Sequence, residues 1–351
     1  QYHWASTLWH ELSHVFVLTA TRHRVPRWFT EGLAVYEETA VSPDWGDRLS
    51  PEIILAIREN KLLPVAELDR GFVRPSFPAQ VVVSYFQAGR MCGFIAQKWS
   101  YDKLLAMIEA FARRQSTPET IEQVLGLKPA ELDRQFRAWL EAETRKTVAG
   151  FEDWKKRMQK LAELAQAARH DEVIREGAAV RDLYPEYVEA GSAYELLAEA
   201  HLAQGNKAAA AAELARWAAA GGRAPALIKK LAALLEELGR SKEAAQALNR
   251  LNAIYPQDEE LHRKLGDLLL AEGEADAAIR EYRAVIALKP LDTAAAHFNL
   301  ARACRQAHRL EEAREQVLLA LEAAPGYRPA QKMLLELAEA GKPNGGGKTK
   351  E

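Results

Sequence analysis

Two cysteines, Cys92 and Cys304, are all that 351 residues provide. That excludes a disulfide framework or a four-cysteine zinc ribbon and leaves the redox compartment open. Also missing is any uninterrupted apolar run near the roughly 18 residues that a helical membrane span needs. The first ten residues, QYHWASTLWH, lack the basic-then-apolar order of a signal peptide. Neither sign of charge dominates: 47 Lys and Arg against 49 Asp and Glu leave a net charge of -2. This removes the electrostatic case for nucleic acid or an anionic membrane surface as partner. No stretch alternates apolar and polar residues as a half-buried strand does, so the chain reads as all-α. What is present, 48% hydrophobic and 27% charged residues, is a globular composition of a length that suits two units better than one.

The character of the sequence changes near residue 150. Six of the eight tryptophans, Trp4, Trp9, Trp28, Trp45, Trp99 and Trp139, precede it, and the text beyond is rich in Ala, Leu and Glu. That second part repeats. Pro185, Pro256, Pro290 and Pro325, with Gly222 in the remaining slot, recur at intervals of about 34 to 37 residues, the length of one helix pair. Leu197-Ala198, Leu231-Ala232, Leu265-Gly266 and Leu300-Ala301 fill a large-then-small position on each first helix. Gly205, Gly239, Gly273 and His308 mark the turn. Ala210, Ala244, Ala278 and Ala313 then precede Leu214, Leu248, Tyr282 and Val317 by four residues on the second helix. Small residues let helices approach closely and large ones fill the groove between them. The pattern resembles tetratricopeptide repeats over about 154–327, with a degenerate first unit ending Asp182-Leu183-Tyr184-Pro185 and a capping helix at 328–340. The domain limits follow as 1–150 and 151–340, with 341–351 (GKPNGGGKTKE) expected to be a disordered tail.

Upstream, helical periodicity covers 3–20, 26–40, 79–99, 101–115, 117–125 and 129–147, with helix starts at Pro26, at Thr117-Pro118-Glu119 and at Lys128-Pro129. The proline-rich stretch 41–78 is the least regular, with a short helix expected at 51–59.

Chemistry concentrates in His10-Glu11-Leu12-Ser13-His14. Two imidazoles at i and i+4 share one helix face and can reach one ion. Glu11 lies about 100° round, placed to act on a bound water without being a ligand. If a turn joins helices ending near Ala20 and starting at Pro26, His14 and Glu31 lie about 8–9 Å from the connection on either side, level with each other. His10, His14 and Glu31 are then the candidate ligands of one Zn2+, with one position left for water. His3 is two turns from His10, too far to share the ion, and His23 falls in the turn. Glu37 and Glu38 read most simply as a solvent-facing or helix-pairing charge run.

His10-Glu11-Leu12-Ser13-His14 followed by Pro26-Arg27-Trp28-Phe29-Thr30-Glu31-Gly32-Leu33-Ala34-Val35-Tyr36 resembles the gluzincin metallopeptidases, on the peptidase MA-like branch related to aminopeptidase N. The resemblance implies that His10 and His14 hold zinc, that the glutamate of the E-G-x-A segment, Glu31, is the third ligand, and that Glu11 is the general base. Val35 stands where thermolysin-like enzymes place an aspartate behind a histidine, so a supporting carboxylate is expected from elsewhere. The likeness continues through Tyr85-Phe86-Gln87-Ala88-Gly89-Arg90 to Leu132–Leu140 and covers about 1–147. In relatives a downstream tyrosine steadies the oxyanion. Tyr85 is the candidate, although Val82, Tyr85, Phe86, Gly89, Cys92 and Gly93 share a helix face that also suits core packing. Cys92 in that stripe reads as a buried apolar residue.

Gluzincins place a β-sheet before the HExxH helix, and the nine residues ahead of His10 leave no room for one. The expectation is either a piece of a longer protein or a reduced domain, in effect the helical half of a gluzincin domain. The compartment is left open, export to the periplasm or cell envelope included. The function expected is zinc-dependent peptide-bond hydrolysis, with the repeats binding a protein partner or substrate in their groove, where Lys264, Asn299 and Arg302 are candidate lining residues. The alternative is a non-enzymatic repeat scaffold carrying an idle metallopeptidase-like domain.

Overall fold

The computed structural model describes residues 3–42 and 44–340, and among them no strand occurs. The expected tail at 341–351 lies outside the described residues. Helix α1 (Trp4–Thr21) starts where the His3 imidazole accepts the Ser6 N–H (3.1 Å) and ends at Arg22, which turns into the left-handed region at φ 51°. Pro26 then caps α2 (Arg27–Val41) from outside the first turn. The proline-rich stretch is more ordered than its composition suggests. It holds α3 (Pro51–Arg58), a 3₁₀ turn at Val65–Glu67 and α4 (Leu68–Val73). Asp69 of α4 accepts the free Trp28 N–H at the start of α2 (2.7 Å), a long-range partner that periodicity does not reveal.

Helices α5 (Gln80–Lys98), α6 (Tyr101–Ala112), α7 (Thr117–Leu125) and α8 (Pro129–Gln166) complete the N-terminal packing. α2 is its axis, because Trp28, Phe29, Leu33 and Ala34 are all buried and α1 and α5 lie against it. α5 approaches so closely that a Cβ on Gly32 would sit 2.6 Å from the Ala88 carbonyl oxygen, and one on Gly89 would sit 2.6 Å from a Val35 methyl. This explains the glycine after Glu31. On α5, Val83 is buried in place of Val82, which is 51% exposed, while Cys92 is fully buried as expected. The face of α1 turned away from α2 carries Trp4, Leu8, Trp9, Leu12, Val15 and Phe16, all substantially exposed.

The change in sequence character near residue 150 is not a break in packing. Residue 150 lies inside the 38-residue α8, and one core runs on through Phe151, Trp154, Leu161 and Tyr184 into α9 (His170–Leu183) and α10 (Ala193–Ala203), on which α11 (Lys207–Ala219) packs. These helices belong to a compact unit ending at Ala224, and a second unit begins at Pro225. In the second unit α12 (Pro225–Glu237), α13 (Ser241–Asn252), α14 (Glu259–Ala271), α15 (Ala275–Ala287), α16 (Thr293–Gln306), α17 (Leu310–Ala323) and α18 (Arg328–Ala340) each pack on the next, as a solenoid does. Every large, small and groove-filling position of the repeat pattern is buried, from Leu197 and Ala198 to Ala313 and Val317. Gly205, Gly239, Gly273 and His308 all adopt positive φ, between 59° and 83°. Gly222 replaces proline in its slot because any side chain there would run into the buried Trp217 indole. Of the candidate groove residues, Lys264 pairs with Glu236 (2.7 Å), and Arg302 with Asp267 (3.9 Å) and Asn299 (3.1 Å).

Candidate metal centre

α1 and α2 form an antiparallel pair in which Ser6 meets Glu38, His10 lies between Glu38 and Glu31, and His14 meets Glu31 and Thr30. Each pairing follows from the register of the hairpin. Ligand atoms of His10, His14 and Glu31 all lie within 4.8 Å of one another. The His10 Nε2 is 3.4 Å and the His14 Nε2 3.3 Å from the same Glu31 oxygen, Oε2.

The far nitrogens are occupied as well. His10 Nδ1 lies 3.1 Å from Glu38 Oε2, and because a carboxylate can only accept, Nδ1 carries the proton. His14 Nδ1 is 2.8 Å from the Thr30 hydroxyl. Both imidazoles therefore aim Nε2 at one point, with the Glu38 carboxylate fixing the tautomer of His10 and the Thr30 hydroxyl orienting the His14 ring. A cation between the two Nε2 atoms and the carboxylate oxygen would satisfy all three. Without one, a proton takes that place: burial opposes charge on His10, but hydrogen bonds and fields from Glu31 and Glu38 outweigh it and raise its pKa to about 9. Burial likewise opposes charge on Glu31, and its bonds to His10 and His14 prevail, holding the carboxyl far below the usual range. Two imidazoles and a carboxylate at these separations fit a zinc ion's preferred donors.

Glu38 takes the helix-pairing alternative of the sequence reading, bonded to Ser6 and His10 of α1. It is 8% exposed rather than solvent-facing, and two helical turns beyond Glu31 it supplies the supporting carboxylate that Val35 does not. Its i+7 spacing from Glu31, opposite Ser6 and His10 in the hairpin register, is the signal that could have found it. Glu37 takes the Tyr101 hydroxyl (2.7 Å) at the surface. Thr30 and Arg27 were also missed. The Arg27 Nε donates to Glu31 Oε1 (3.2 Å), and its guanidinium stands over Phe72. His3 caps α1 and His23 is an exposed turn residue, neither of them at the cluster.

Glu11 lies on the solvent side of α1, exposed and without an ion pair or hydrogen bond to any described residue. Tyr85 reaches the opposite rim, its ring 6.5 Å from that of His10 and 5.1 Å from Phe72. Its hydroxyl lies within the fields of Glu31 and Arg27. Burial and then the Glu31 charge raise its pKa, which keeps it a protonated donor.

A family model for the peptidase MA superfamily matches residues 2–142, and two tetratricopeptide repeat models match 225–268 and 263–328. No curated protein matches the chain. Among solved structures, the chain is similar to YrrB, described as a TPR protein with an unusual peptide-binding site, at 20% identity and TM-score 0.35 over 50% of this chain and 89% of that one. MamA 41-end from Desulfovibrio magneticus RS-1 matches at 22% identity and TM-score 0.34 over 42% and 82%. A thermophilic TPR protein of Thermus thermophilus matches at 21% and 0.29 over 53% and 99%. Residues 2–142 are thus a peptidase MA superfamily domain, and the chain joins that domain to tetratricopeptide repeats.

Proposed function

We propose that the chain is a zinc-dependent peptide hydrolase whose repeats engage a protein substrate or partner. The observation that carries this reading is the convergence of His10 and His14 Nε2 on one Glu31 oxygen, with both Nδ1 atoms held from behind. Zinc held by His10, His14 and Glu31 would supply a Lewis acid that acidifies water and polarises the scissile carbonyl. Glu11, exposed and unpaired among the described residues, takes the proton of the attacking water and passes it to the leaving amine. Tyr85, kept protonated, donates a hydrogen bond to the oxygen on which charge develops. Glu38 keeps His10 in the tautomer that leaves Nε2 free, and Thr30 orients the His14 ring.

Purified protein is expected to contain about one zinc per chain by elemental analysis. Glu11→Gln is expected to keep the metal and lose cleavage of a peptide library. Loss of zinc on that change would give Glu11 another role. A metal-loaded chain that cleaves nothing while its repeats capture a defined partner would leave only the scaffold alternative.

A further inference from the structure

The segment 44–50, which follows α2, touches the start of α1 and the end of α2 on one side and the segments around the repeat helices on the other. Toward the centre, the Trp45 ring packs on His3 (5.4 Å), the residue that caps α1, and Gly46 lies so close to Thr39 of α2 that no side chain would fit. On the other side, the Tyr184 hydroxyl donates to the Leu49 carbonyl and the Leu49 N–H donates to Glu186 Oε2 (3.1 Å). Arg48 donates to the Gly221 carbonyl and lies 3.9 Å from Glu189. Gly221 has φ 92°, and a Cβ there would meet Arg48 Nη1 at 2.7 Å. Both backbone polar groups of Leu49, itself 2% exposed, are thus satisfied by side chains more than 130 residues later in sequence.

The C-terminal turn of α2 needs such a hold. It carries Glu37 and Glu38, whose charges oppose the negative end of the helix dipole, and no basic residue of its own. It closes on an extended Ser42 instead of a left-handed glycine, with a single capping bond from Ser42 N–H to the Glu38 carbonyl. A helix end of this kind frays unless tertiary contacts restrain it. Glu38, the carboxylate on His10 Nδ1, sits in that turn.

We propose that 44–50 is a strap by which the repeat helices hold the last turn of α2, which makes Tyr184 and Glu186 positioning residues for the His10–Glu38 pair. The proposal rests on the reading of His10, His14 and Glu31 as a metal centre, and it makes the first repeats part of that centre's support.

The test uses the full chain and three variants, Glu186→Ala, Glu186→Gln and Tyr184→Phe. Glu186 is exposed, so its truncation leaves the core intact. Two readouts are taken, amide hydrogen exchange over 36–50 in metal-free protein and zinc affinity by competition with a chelator. Glu186→Ala and Tyr184→Phe are expected to speed exchange there about fivefold, the worth of one lost hydrogen bond. Zinc affinity is expected to fall about three- to tenfold, less than for loss of a direct partner of a ligand. Glu186→Gln, which still offers an acceptor, is expected to restore both. Unchanged exchange in folded Glu186→Ala and Tyr184→Phe overturns the strap, whatever the metal result. If the parent chain binds no zinc, the metal-centre reading fails by itself and exchange alone decides whether the strap exists.

Discussion

Glu38 and His10 are joined across the α1–α2 pair by a 3.1 Å hydrogen bond, which holds the imidazole from the side opposite Glu31. α2 thereby grips one ring at both nitrogens with carboxylates seven residues apart. Removing the outer one frees the ring to rotate and change tautomer. Glu38→Ala is expected to lower zinc affinity about 10- to 100-fold, and Glu38→Gln less, because its amide oxygen still accepts from Nδ1–H. Chelator competition measures both, and equal affinity in all three proteins would remove Glu38 from the support of the site.

The same grip sets a pH dependence. In metal-free protein the pKa of His10 is raised from its ordinary 6.5 to about 9, so the stabilisation from its charged form is complete below 6.5 and lost as pH rises through about 9. Glu31 has the opposite sign: its contribution is present above its ordinary 4.5 and lost as pH falls through its depressed folded value. The metal-free melting temperature is therefore expected to decline between pH 6.5 and 9. At pH 7 zinc must displace the His10 proton, so calorimetry in buffers of different ionisation enthalpy is expected to read about one proton released per zinc, and none well above pH 9. A binding enthalpy independent of buffer at pH 7 would contradict this.

Tyr85 lies in the wall of the centre and also packs on Phe72, and one substitution separates the two roles. Tyr85→Phe keeps the ring and removes the donor. If the hydroxyl acts on developing negative charge, kcat is expected to fall about 100-fold or more with KM and zinc content nearly unchanged. An unaltered kcat would leave Tyr85 a packing residue only.

In the repeats, His308 occupies a turn position at φ 59° that Gly205, Gly239 and Gly273 fill elsewhere. The left-handed conformation costs a non-glycine residue more than glycine loses in chain entropy, so His308→Gly is expected to stabilise the second unit by roughly 0.5 kcal/mol. Its exposed imidazole makes no bond to a described residue that would be forfeited. Thermal or urea unfolding of the two proteins checks the sign.

The repeats were legible because their information is local and periodic. Leu231-Ala232, Gly239 and Ala244 each state a requirement of one helix pair, and recurrence multiplies the signal. The hairpin of His10, His14 and Glu31 was legible for a related reason: helical rise and a short turn fix which residues stand level. Glu38 was obscured because a glutamate beside a glutamate near a helix end looks like a solvated charge run. Only the crossing of α1 shows that one of the pair is buried. The pairing of Trp28 with Asp69, and the order of the proline-rich stretch around it, likewise depends on partners distant in sequence.

By itself the sequence determined most of the helices outside the proline-rich stretch, the period of the repeats and the three donors that face one another across a tight hairpin, since each depends on spacing within one or two neighbouring elements. Tertiary structure alone decided that residue 150 lies within a continuous helix, that Glu38 turns inward to His10, and that Leu49 is held by Tyr184 and Glu186. Those outcomes follow from burial and from hydrogen bonds between segments as much as 137 residues apart, and helical periodicity does not encode either.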